Sequence, residues 1–124
     1  MLETSSIAAG LDYIGMSPLL AHLSERGRVR FEAATNEEVV HALQLIMTRE
    51  GIVPALESAH AFAGAFREMK QCSKNESVII NLSGRGDKDI FTIAEGLHDE
   101  GWKAFIQRKS MHYQQTCSRD SGKA

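Results

Sequence analysis

The residues best placed to do chemistry lie in Ser77-Val-Ile-Ile-Asn-Leu-Ser83-Gly-Arg-Gly-Asp-Lys-Asp89, where an apolar run empties into a polar turn punctuated by glycine. Val78, Ile79 and Ile80 are a short β-branched run, the pattern of a strand buried on both faces in a parallel sheet. Gly84 and Gly86 allow positive φ or close backbone approach, and Ile90, Ile93, Ala94 and Leu97 begin a helical stripe. The turn therefore joins a strand's carboxyl end to a helix's amino end, the place where open α/β sheets bind ligands. A second reading fits the spacing equally well: a tight connection whose Asp87 or Asp89 caps the following helix. The Arg85-Gly86-Asp87 triplet is too short to support an adhesion role.

Two other groups could act with this loop. Glu57 follows Ile52-Val-Pro-Ala-Leu56, a short apolar segment in which Pro54 limits any strand to a brief or edge position. Ser58 is placed to cap the next helix, so Glu57 sits at a βα junction, with His60 one turn on. Either residue could serve a ligand, or Glu57 could accept bonds from the helix's first turn and His60 lie at the surface. The small residues Ser5-Ser-Ile-Ala-Ala-Gly10 precede Leu11-Asp12-Tyr13 and could lie close to a ligand, or form an irregular loop in which Asp12 makes a local turn bond.

The supporting elements follow from periodicity and caps. Ser17-Pro18 opens a brief helix with Leu19, Leu20 and Leu23, which Gly27 ends. Residues 28–34 alternate basic and apolar side chains as a strand does. Thr35-Asn-Glu-Glu38 has capping-box spacing, and Val39, Val40, Leu43, Ile46 and Met47 form the buried face of a helix stopped by Gly51. A further helix buries Ala59, Phe62, Ala63, Phe66 and Met69, and a last one runs from Ile90 to about Glu100. These elements predict an α/β fold, helices alternating with a parallel sheet, over residues 1–108. Residues 109–124 are polar and aperiodic and read as a disordered tail.

Composition narrows the function. A chain of 124 residues, 43% hydrophobic, suffices for one small core. A net charge of −2 gives no electrostatic reason to expect nucleic acid or an anionic membrane as partner. No apolar run has membrane-spanning length and the amino terminus lacks signal-peptide character, so a cytoplasmic location is expected. Cys72 and Cys117 lack metal or redox spacing and read as free thiols.

Three blocks, in order, resemble the carboxyl-terminal portion of the tryptophan synthase beta chain family, which belongs to fold-type II of the pyridoxal phosphate (PLP) enzymes: Ser6-Ile-Ala-Ala-Gly-Leu-Asp-Tyr13, Glu50-Gly-Ile-Val-Pro-Ala-Leu-Glu-Ser-Ala-His60 and Asn81-Leu-Ser-Gly-Arg-Gly-Asp-Lys-Asp89. The resemblance runs from about Glu3 to about Trp102 and implies part of a two-domain α/β enzyme with the cofactor between its domains. Ser5, Ile14 and Ser17 depart from the family pattern, which blurs the loop around Asp12.

By resemblance, Ser83 corresponds to the serine that hydrogen-bonds the cofactor's ring nitrogen, Gly84 lets the backbone pass beneath the ring, and Asn81 and Asp87 order the loop. A neutral hydroxyl does not hold the pyridine protonated as a carboxylate would, which suits β-elimination and replacement. Gly10 and Asp12 correspond to pocket residues, Asp12 taking part in closure, and Glu57 to a glutamate beside the cofactor. The carbonyls of Leu11 and Tyr13 correspond to ligands of a monovalent cation. The family's Schiff-base lysine, phosphate cradle, catalytic glutamate and substrate-carboxylate loop precede the matched blocks, and Lys88 does not correspond to the lysine. The resemblance implies a portion of a subunit that makes L-tryptophan from L-serine and indole. Its partners would be the remainder of the beta chain, a second beta subunit and an alpha subunit. A serine or threonine dehydratase, another β-replacement enzyme and a non-catalytic interaction remnant are the alternatives.

Overall fold

A computed structural model describes residues 5–120, with side chains through residue 113. Cys117 and residues 121–124 of the expected tail lie outside what is described at side-chain level. The chain divides into two compact units, Met1–Ile93 and Ala94–Ala124.

In the first unit, a 3-10 turn at Ala9–Leu11 precedes α1 (Pro18–Glu25), α2 (Asn36–Glu50) and α3 (Leu56–Met69). A second 3-10 turn, Gly86–Asp89, leads into α4 (Ile90–Gly96). The local signals act as their chemistry requires. Ser17 Oγ accepts from Leu20 N at 3.2 Å with Pro18 at the first helical position, so two of α1's unpaired donors are dealt with. Thr35 and Glu38 close a full capping box on α2, at 3.2 and 2.8 Å. Gly51 ends α2 in the left-handed region at φ 67°, which a side chain would disfavour.

Packing of α2 on α3 makes the core. Val39, Ala42, Leu43 and Ile46 face Leu56, Ala59 and Ala63, and Leu43 and Val39 are fully buried. Burying each large aliphatic side chain is worth about 1.5–3 kcal/mol, which offsets the ordering of two helices that would be marginal alone. Val40 and Met47, expected on the same face, are half-buried, and Met69 at the end of α3 is exposed.

The expected parallel sheet is not seen among the described residues. Among the described residues there are five helices and no strand, and an isolated antiparallel bridge joins Pro54 to Arg85. Residues 28–34 and 77–83 have no helical or ladder assignment, and Ile79, expected to be buried on both faces, is 95% exposed. The reason is that a strand, unlike a helix, closes its backbone hydrogen bonds only against a neighbour, so an apolar run without one stays open to water. At Pro54 the expected brief or edge strand is a single bridge residue instead. The bridge's hydrogen bonds come from the flanking residues, Ala55 N to Gly84 O at 3.0 Å and Gly86 N to Val53 O at 2.8 Å, so proline's missing donor costs nothing.

In the second unit, the helix expected to reach Glu100 instead stops at Gly96. His98 takes φ 52°, and α5 (Glu100–Asp120) restarts with Asp99 Oδ1 accepting from Trp102 N at 2.6 Å. α5 thus carries helix into the segment read as a disordered tail. Trp102 and Phe105 stack at 5.6 Å between centroids, and Lys109 lies 5.6 Å over the Phe105 ring. No helix among the described residues is long and apolar enough to cross a membrane.

Candidate functional site

The site is built around the amino end of α3. That helix begins two residues before the expected Ser58 cap: Ala55 occupies the N-cap and offers no side-chain acceptor. The missing acceptor comes from the distant loop. Asp89 Oδ2 takes the Leu56 N–H at 3.0 Å, so Asp89 caps α3 rather than the helix it precedes. Asp87 pairs with Arg85 at 2.9 Å instead.

Glu57, in the first turn of α3, accepts the Gly10 N–H on Oε1 at 3.0 Å and the Lys88 ammonium on Oε2 at 3.0 Å. Lys88 also meets Asp89 at 2.7 and 2.8 Å, so one cation bridges two carboxylates at one helix end. The Glu57 carboxyl is held below its ordinary range, first by its own backbone N–H and then by Lys88. The Lys88 ammonium is pushed up, by Asp89 first and Glu57 second. This arrangement keeps Glu57 an anion and fixes its direction.

Close backbone approach explains three glycines. A Cβ on Gly10 would come within 2.5 Å of Glu57 Oε1, and one on Gly84 within 3.1 Å of the Ala55 Cβ. At Gly86 it would strike the backbone oxygen of Pro54 and lie 2.8 Å from Val53 Cγ1. None of these has positive φ; space rather than dihedral freedom demands glycine at Gly86, where the neighbour is backbone, while at Gly10 and Gly84 the neighbours are side-chain atoms.

The expected site residues fall as follows. Gly10 and Glu57 are in direct contact. Ser83 is exposed and its Oγ lies 3.3 Å from Oγ of Ser58, the buried residue beside Glu57. Gly84 is held next to it by the bridge to Ala55. Asp12 ends the 3-10 turn, its N–H bonded to Ala9 O at 3.3 Å, and its exposed carboxylate makes no hydrogen bond among the described residues. Leu11 and Tyr13 flank it, 44% and 73% exposed. No cluster of three or more His, Cys, Asp or Glu among the described residues could hold a metal, which does not bear on a site made of backbone oxygens. Cys72 is an exposed free thiol.

The sequence reading missed the Lys88 bridge, the partner of Ser83 and a third tie. His60 Nδ1 lies 2.8 Å from Leu56 O and Nε2 lies 3.2 Å from Ser6 Oγ. The signal for this tie was present in the three-residue spacing of Glu57 and His60, which puts both on one face of α3. A groove of about 550 Å³ opens beside them, lined by Ser6, Leu11, Glu32, Glu57, His60 and Arg67 among others. Chemically, the ensemble offers an exposed hydroxyl, an oriented anion and a tightly folded backbone at one helix end.

No family model matches the chain. Over 107 residues, 86% of this chain, it is 51% identical to a protein of Helicobacter hepaticus named tryptophan synthase beta chain. The chain spans about a quarter (25%) of the length of that curated relative. Identity of this level over nearly the whole chain means that the chain belongs to the tryptophan synthase beta chain family.

Proposed function

We propose that the chain is the carboxyl-terminal portion of a tryptophan synthase beta subunit, whose intact form joins L-serine and indole into L-tryptophan by β-replacement. The observation that carries this is the 51% identity over 107 residues. PLP, when bound, supplies the electron sink that lets the serine hydroxyl leave and indole add in its place. This chain's residues would position and tune that group. Ser83 suits the ring nitrogen because its hydroxyl is exposed and a single Ser58 contact leaves donor and acceptor capacity unspent. Glu57, fixed as an anion by Gly10 and Lys88, would set the charge beside the ring. Gly10 and Asp12 would line and close the substrate pocket, and the carbonyls of Leu11 and Tyr13 would help hold a monovalent cation.

The intact enzyme is then α/β, and segment 77–83 would find its neighbours in the rest of the beta chain. Tyr13, Ile14, Leu19 and Ile79, 73%, 70%, 67% and 95% exposed, support this. Apolar surface of that kind gains about 25 cal/mol per Å² when covered. A second beta subunit and an alpha subunit complete the assembly, in the cytoplasm. Resemblance puts the Schiff-base lysine and phosphate cradle before the matched blocks, so the chain alone makes no tryptophan and does not hold PLP tightly.

The test is a graft. Residues of this chain replace the homologous 107 of the Helicobacter hepaticus protein, and PLP binding is followed by absorbance and dialysis. The graft should retain PLP and the isolated chain should lose it. A folded graft that cannot retain PLP would overturn the proposal.

A further inference from the structure

The loop bearing Gly10 and Asp12 has few ways to hold its place. It lacks a hydrophobic side chain of any size in the core, and Ala8, 1% exposed, is its one buried anchor among the described residues. Polar ties do the rest. Ile7 N donates to Asn36 Oδ1 at 3.0 Å, at the start of α2, and Gly10 N donates to Glu57 Oε1 at 3.0 Å. The remaining tie runs through His60.

Its direction can be worked out from atoms that have no choice. Leu56 O can only accept, so at 2.8 Å His60 Nδ1 must carry the hydrogen. In the neutral ring Nε2 is then an acceptor, and Ser6 Oγ at 3.2 Å must donate to it. The same Oγ accepts from Ala8 N at 3.1 Å. The chain of donors is therefore Ala8 N–H to Ser6 O–H to His60 Nε2, with His60 Nδ1–H returned to its own helix. Each hydrogen bond in it has a fixed sense, and Ser6 Oγ both accepts and donates.

Glu57 and His60 are one turn apart on the same face of α3, about 4.5 Å along its axis. The loop is thus fastened to that face at two points, Ser6 and Gly10, with the buried Ala8 between them. The Ile7 tie runs to Asn36 at the start of α2, so on α3 a single point would leave the loop's direction along that face unset, and two fix it. We infer that Ser6 and His60 are a positioning pair that orients the 6–12 loop on α3, so that the Gly10 N–H meets Glu57. That the loop serves a substrate pocket rests on the proposed function; the pair itself does not.

The experiment uses the ¹⁵N-labelled 124-residue chain at a pH where imidazole is neutral. Histidine nitrogen shifts should report His60 as the Nδ1–H tautomer, a reading that needs no variant. In Ser6→Ala, which removes one oxygen, Gly10 amide exchange should speed up roughly two- to tenfold, the range of one hydrogen bond, while the core Leu43 amide changes little. His60→Gln, whose side-chain carbonyl can accept where Nε2 did, should keep Gly10 protected. A purely structural role would move Gly10 and Leu43 together. An Nε2–H tautomer, an unchanged Gly10 in Ser6→Ala, a parallel loss at Leu43, or Gly10 deprotected in His60→Gln would overturn the inference. Because none of these readouts involves PLP, they fail separately from the graft.

Discussion

Replacing Gly86 by alanine tests how the 81–89 loop is fastened. The added methyl would be driven into the Pro54 carbonyl and against Val53, and the first of these is backbone, which cannot rotate away as a side chain could. Relief requires the 84–86 segment to part from 53–55. That move endangers two hydrogen bonds, Gly86 N to Val53 O and Ala55 N to Gly84 O. At about 0.5–1.5 kcal/mol each they represent about 1–3 kcal/mol, and residual overpacking adds about 1–3 kcal/mol. Alanine's better helix propensity in the 3-10 turn returns at most about 1 kcal/mol. A net loss of about 1–6 kcal/mol follows, lowering a urea midpoint by about 0.5–3 M at an m-value of about 2 kcal/mol/M. Gly84→Ala is the control. Its methyl would meet only the Ala55 Cβ at 3.1 Å, a contact that a few tenths of an ångström relieves, so its cost should stay below about 1 kcal/mol. Both variants are compared by urea unfolding of the 124-residue chain, followed by circular dichroism. A Gly86→Ala midpoint equal to wild type, or a Gly84→Ala cost above that of Gly86→Ala, would refute the steric account.

Further expectations concern the caps and charges. Thr35→Ala removes the acceptor of the α2 capping box and should cost about 1 kcal/mol in the same unfolding assay, a change within error being the adverse result. Glu57 has a folded pKa below its ordinary value, so its stabilising contribution is complete above that ordinary value and disappears as pH falls through the folded one. Lys88→Met should raise the Glu57 carboxyl toward the ordinary range in a carboxyl-carbon NMR titration; an unmoved Glu57 would remove Lys88 as a cause. In the graft, Ser83→Ala should weaken PLP retention and Ser83→Asp should favour ring protonation, visible as a changed PLP absorbance. Identical spectra and retention in both would place Ser83 away from the cofactor.

What the sequence disclosed, it disclosed through local chemistry. Ser17-Pro18, the Thr35–Glu38 box and Gly51 each act within a few residues, and all three work as their types require. The start of α3 was misjudged because its cap, Asp89, is 33 residues away from Leu56. The break at His98 was hidden because a non-glycine residue takes the positive φ. The Val78–Ile80 run has strand composition, yet composition cannot supply the neighbour that a ladder needs. For the site, the types and order of Gly10, Glu57 and Ser83 were legible, and the structure brings them around one helix end. What joins them, Lys88 across to Glu57 and Ser58 onto Ser83, depends on tertiary contacts that no spacing encodes.

The central claim is that this chain completes a tryptophan synthase beta subunit rather than a dehydratase of the same group. It is tested most directly by giving the PLP-loaded graft L-serine with and without indole and measuring tryptophan and the keto acid left by simple elimination. Tryptophan formed whenever indole is present, at the expense of the keto acid, is the predicted result. A folded, PLP-bound graft that releases keto acid from serine and makes no tryptophan would contradict it.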